Sequence, residues 1–113
     1  MELCRADIVR LERRGHRAKD FFTVEEDGIL RLRNVDGFCY FFDRKRRRCR
    51  EYASRPLGCV IYPVNLTEDG KIMVDELCPE WRTVPSAEVA EKGRRLRRLL
   101  NTIDAEAARR RSS

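Results

Sequence analysis

Apolar and polar positions along the chain change period several times, and each change marks an element. Leu3, Ile8, Val9 and Leu11 make one apolar stripe, which predicts a helix over residues 4–14. Gly15 stands where a C-terminal cap belongs, and Cys4 falls near the N-cap. Alternation in Ile29-Leu30-Arg31-Leu32-Arg33, after a turn at Asp27-Gly28, predicts a strand. A second turn at Asp36-Gly37 leads into Phe38-Cys39-Tyr40-Phe41-Phe42, an aromatic run typical of a buried strand. The charged tract from Asp43 to Arg48 must face solvent and reads as the tip of a hairpin. The chain returns through Arg48-Cys49-Arg50, so that Cys39 and Cys49 face each other across it.

Pro56 fits the first turn of a short helix, where its missing N–H would be unpaired anyway. Val64-Asn65-Leu66 and Ile72-Met73-Val74 flank Thr67-Glu68-Asp69-Gly70 and predict a second hairpin, which Cys78-Pro79 ends. A long helix follows over about residues 86–110, with Ser86 as N-cap. Val89, Leu96, Leu100, Ile103 and Ala107 form its apolar seam, and Gly93 lets a neighbouring backbone approach. The seam is expected to pack on the domain's own core in preference to a second copy, and the tail from Arg109 to fray. Arg94, Arg95, Arg97 and Arg98 read as its solvated face. These elements add up to an α+β fold in a single domain spanning residues 1–113. It has an N-terminal helix, two short β-hairpins around a Cys cluster and a long C-terminal helix.

Composition adds a constraint on stability. Hydrophobic residues make up 42% and charged residues 39%, a lean core under a charged surface. A chain this short buries a modest fraction of its surface, so a staple such as a metal would help it fold. No apolar run approaches the ~20 residues of a membrane helix, and Met1-Glu2-Leu3-Cys4-Arg5 offers no secretory signal. The expected setting is the reducing cytoplasm, with no membrane contact. Five cysteines there point to metal or redox chemistry before disulfides.

Charge adds a candidate surface. The net charge of +6 is carried mostly by arginine, whose planar fork suits phosphates and carboxylates. Arg44, Arg46, Arg47, Arg48 and Arg50 are candidate contacts for an anion or nucleic acid, with Tyr40, Phe41, Phe42 and Tyr52 nearby for stacking. Core packing is the plainer use of those aromatics, and a protein partner is the other open class.

Cys39, Cys49, Cys59 and Cys78 are the candidate metal ligands. They are separated by ten, ten and nineteen residues, and no CxxC pair is present. Cross-strand Cβ atoms lie ~4.5–5.5 Å apart, which is compatible with two sulfurs on one zinc at bonds of ~2.3 Å. Cys59 falls in the first turn of the short helix, where the dipole favours a thiolate, and Cys78 could close the site. The arginines from Arg44 to Arg48, with Arg50 and Arg55, are expected to offset the thiolate charge and lower the thiol pKa values. Zinc or an iron–sulfur cluster suits four such ligands equally. Inert buried thiols and disulfides are the alternatives. His16, the single histidine, reads as a surface cap residue rather than a ligand. No Ser-His-Asp set, phosphate-binding Gly loop or open His-rich site appears, so the chain is not expected to be an enzyme by itself.

The stretch from Cys39 to Pro63 resembles the CxxCxxCC (YkgJ-like) proteins, described as zinc- or iron-chelating domains. Cys49, Tyr52, Arg55, Pro56, Cys59, Tyr62 and Pro63 match the family's Cys-x-x-Tyr-x-x-Arg-Pro-x-x-Cys-x-x-Tyr-Pro run in order. Cys78-Pro79 is similar to its later Cys-Pro, and Asp7-Ile8-Val9-Arg10-Leu11 to its opening helix. The likeness covers about residues 4–81. It also implies a Cys-rich cluster ahead of the first helix, where this sequence has Cys4 alone, so ligand status is not carried onto Cys4.

Overall fold

The structure is a computed structural model that describes residues 1–75 and 83–112. The first strand, β1 (Glu2–Leu3), runs directly into helix α1 (Arg5–Arg13), which forms on the expected stripe and buries Asp7, Ile8 and Leu11. Cys4 is its N-cap, and Asp7 reaches back to accept the Cys4 backbone N–H at 3.2 Å. A carboxylate there satisfies an otherwise orphaned donor and complements the helix dipole. The short helix α2 (Ala18–Phe21) then drives Phe21 into the interior.

Strand β2 (Phe22–Val24) pairs antiparallel with β3 (Leu30–Leu32), whose other edge takes β1. In β3 the two leucines are buried and Arg31 between them faces out, as period-two alternation requires. Leu3, Ile8, Leu11, Phe21, Leu30, Leu32 and Phe41 form the first of two cores.

The aromatic run departs from expectation. It is not one strand but two, each in its own ribbon. Strand β4 (Asn34–Val35) pairs with β5 (Phe38–Cys39), and β6 (Phe42–Asp43) pairs with β7 (Arg48–Cys49). The cross-strand partner of Cys39 is therefore Asn34, and that of Cys49 is Phe42, so the two cysteines do not oppose each other. Phe41 is the physical reason. It is fully buried, 5.7 Å from the Phe21 ring and 4.8 Å from that of His16, and reaching that position turns the chain inward in mid-run. Backbone bonds follow the break: Tyr40 N–H donates to Arg33, while Arg50 N–H donates to Phe41. Phe38, expected in a buried strand, is left 41% exposed.

The second half of the described chain is closer to expectation. A 3-10 turn at Tyr52–Ser54 leads to helix α3 (Leu57–Ile61) with Pro56 at its N-cap. Strands β8 (Val64–Leu66) and β9 (Ile72–Val74) make the second hairpin, in the register Val64↔Val74. Helix α4 (Ser86–Ser112) packs on α3 and on this hairpin, closing a second core of Cys4, Ile61, Val64, Leu96, Leu99 and Ile103. The seam is shifted from the expected one: Leu99 lies fully inside, and Leu100 sits at the edge. Gly93 is buried because the Ile72 side chain, not a backbone, lies on it; a Cβ there would come 2.8 Å from Ile72 Cδ1. At Gly28 the approach does involve backbone, with the Ala107 carbonyl oxygen 2.7 Å from where a Cβ would be.

The C-terminal turn is tied down rather than frayed. Arg110 donates to the Gly28 carbonyl and Arg111 to that of Asp27. Among the described residues no helix is long and apolar enough to cross a membrane.

Candidate metal centre

Three of the four predicted ligands come from three different elements. Cys39 ends β5, Cys49 ends β7, and Cys59 is the third residue of α3, where its N–H donates to the Pro56 carbonyl at 2.9 Å. Cys39 and Cys49 pack, half-buried, against the first core beside Tyr40. None of Cys4, Cys39, Cys49 and Cys59 is in a disulfide. The fourth predicted ligand, Cys78, lies outside the described residues.

Electrostatics ties the trio together. Burial pushes the Cys39 thiol above its ordinary pKa, and the charge of Cys49 adds to the effect. Burial raises Cys59 further, to about 11, with Cys39 and then Cys49 contributing. Cys39 and Cys59 therefore resist ionising, first through burial and then through neighbouring thiolate charge. At these two positions the expectation of lowered values is reversed. Four of the arginines that were to supply positive charge are turned to other partners. Arg44 lies over the Phe38 ring at 5.0 Å, and Arg50 over Tyr40 at 5.3 Å. Arg55 lies over Tyr52 at 3.9 Å, and Arg46 is 4.0 Å from the Asp43 carboxylate.

Chemically, the donor set fits a thiophilic ion. A bound cation would take up the repulsion among the thiolates and displace their protons, the usual coupling of metal binding to thiol ionisation. The spacing is a separate matter. Among the described residues no three Cys, His, Asp or Glu side chains are gathered as a formed metal cluster. The three thiols share one electrostatic neighbourhood without that closure.

Cys4 lies apart from the trio, 3% exposed in the second core, with its thiol donating to Asp7 at 3.4 Å. His16 is not the surface cap it was expected to be. Its side chain is 20% exposed and edges onto Phe21, Tyr40 and Phe41. Nε2 lies 3.2 Å from Glu51 Oε1, an ion-pair distance.

The sequence reading missed the part played by one buried carboxylate. Asp7 is fully buried and holds Arg10 at 2.7 Å and the backbone N–H of Leu57 at 3.0 Å. An acidic residue three positions after an N-cap is the sequence signal that could have found it.

Between the two ribbons lies an open cleft of about 510 Å³. Phe38, Cys39, Tyr40, Phe42, Arg44 and Arg50 line it, so Cys39 is at once a member of the thiol trio and part of this wall.

Residues 2–79 match the CxxCxxCC family, whose description is "Putative zinc- or iron-chelating domain". The chain belongs to the CxxCxxCC family. Its description supports a zinc- or iron-chelating function, with the choice of metal unresolved. No curated protein and no solved structure matches the chain. The CxxCxxCC match takes in α1, the three-stranded sheet, both ribbons, α3 and the second hairpin, and leaves α4 outside.

Proposed function

We propose that this CxxCxxCC protein binds its metal, zinc or an iron–sulfur cluster, through Cys39, Cys49 and Cys59, with Cys78 as the fourth donor. The metal ties the two ribbons to helix α3. The observation that carries this reading is the placement of three half-buried cysteines on three separate elements, with the charges of Cys39 and Cys49 felt at Cys59. With four thiolates such a site has no open coordination position, so a structural or electron-carrying role suits it better than Lewis-acid catalysis. Anaerobic purification with metal analysis tests the reading. A brown protein with iron and sulfide, or a colourless one with one zinc per chain, supports it. A folded, metal-free protein with all its thiols titratable overturns it.

A second reading makes the β6–β7 ribbon a contact for single-stranded nucleic acid. It is favoured by an exposed Phe38 on the cleft and by Lys45, Arg47 and Arg48, which have no carboxylate partner among the described residues. Affinity for a single-stranded oligonucleotide that falls steeply with salt is the expected result, and no binding at low salt removes the reading.

A further inference from the structure

We infer that Asp7 and Arg10 are positioning residues for Cys59, acting as a clamp that docks the N-terminus of α3 onto α1. The inference rests on Cys59 being a ligand, as proposed above. Helix α3 has only five residues and no side-chain cap of its own, since Pro56 occupies the cap position and has no side-chain acceptor. Its first N–H, that of Leu57, is satisfied instead by Asp7 Oδ1 at 3.0 Å, across a separation of fifty residues. The other oxygen, Oδ2, accepts the Cys4 backbone N–H at 3.2 Å. One carboxylate therefore caps two helices.

Arg10 completes the clamp. Its Nη2 pairs with Asp7 Oδ1 at 2.7 Å and also donates to the Arg55 carbonyl at 3.0 Å, while its Nε donates to the Ser54 carbonyl at 3.2 Å. Backbone groups at Ser54, Arg55 and Leu57 are thus all held from α1, bracketing the fully buried Pro56. Cys59 follows two residues after Leu57, with its own N–H bonded to the Pro56 carbonyl. A short helix fixed so firmly at its start has little freedom at its third residue. Cys39 and Cys49 sit on ribbons that the clamp does not touch.

The test uses Arg10→Met, Asp7→Asn and the conservative Arg10→Lys, beside Gly28→Ala as a destabilising control, which collides with the Ala107 backbone near the C-terminal end of α4 and not with α3. Two readouts are taken on the full chain: zinc affinity by competition with a chromophoric chelator, and alkylation rates of Cys39, Cys49 and Cys59 in the reduced, metal-free protein, mapped by mass spectrometry. Zinc affinity should fall by about tenfold to a hundredfold in Arg10→Met and Asp7→Asn, the range for lost outer-shell support. Arg10→Lys should recover part of that loss. Alkylation of Cys59 alone should speed up, and Gly28→Ala should change neither readout selectively. Equal acceleration of all three thiols, or an affinity loss no larger than that of Gly28→Ala, overturns the clamp. If the wild-type chain binds no zinc, the ligand reading fails, and the alkylation pattern still decides whether the clamp places Cys59. If Arg10→Met and Asp7→Asn do not fold, Arg10→Lys carries the same comparison.

Discussion

The two ribbons and helix α4 solve the problem of staying folded in opposite ways. Helix α4 buries Gly93, Leu96, Leu99, Ile103 and Ala107 along one face. From Asn34 to Arg50, by contrast, only Phe41 is buried, and the strands are two residues long. Isolated two-stranded ribbons are at best marginal in water. The helix is held by its own packing, whereas the ribbons hang on one phenylalanine and, in the function proposed above, on a metal joining Cys39 and Cys49 to Cys59. A metal would have most to contribute where the core contributes least.

Truncating the one anchor should give the largest effect. Phe41→Ala is expected to cost about 4 kcal/mol, seen as a lower urea midpoint together with weakened metal binding. A loss below about 1 kcal/mol would show that the ribbons do not depend on this ring. Leu99→Ala should cost about 3 kcal/mol but weaken metal binding less than Phe41→Ala does, because it loosens the second core under α3 and leaves the anchor of the ribbons in place. An affinity loss as large as that of Phe41→Ala would erase the distinction between the two regions.

Next come two glycines with similar backbone angles, φ +82° at Gly28 and +84° at Gly70. Gly70→Ala has open space and should cost about 1 kcal/mol for its left-handed conformation. Gly28→Ala adds a collision with the Ala107 backbone, for about 3 kcal/mol in all. Equal values in urea unfolding would mean that α4 does not press on that turn.

The smallest effect concerns pH. The Cys59 thiol is raised from 9.0 to about 11 in the folded chain, so the folded state holds this proton more tightly than the unfolded state does. Its contribution to metal-free stability is complete below pH 9.0 and is lost as pH rises through about 11. Cys59→Ser should flatten that alkaline loss in urea melts across the same range; an unchanged slope would contradict the assignment.

Regular periodicity explains what could be read from the sequence. Helix α1, the Val64–Leu66 and Ile72–Val74 hairpin, and α4 each repeat long enough for the pattern to be unambiguous. The break at Phe41 was hidden because five residues of aromatic and apolar character carry no turn residue; only the depth of the Phe21 and His16 pocket decides it. The thiol pKa direction was misread chiefly because sequence does not show how far Cys39 and Cys59 are buried, and also because it does not say where guanidinium groups point. Arg44, Arg50 and Arg55 chose aromatic faces. Asp7 was legible as part of a helix start, but its reach to Leu57 depends on two segments fifty residues apart.

Backbone hydrogen exchange, followed residue by residue with and without metal, tests the central claim most directly. Metal should slow exchange in the ribbons, above all at the Tyr40 and Arg50 amides that tie them to Arg33 and Phe41, and in α3 around Cys59. The amides of α4 should stay within their metal-free protection. Uniform slowing over the whole chain, or no change in the ribbons on adding metal, would contradict the account.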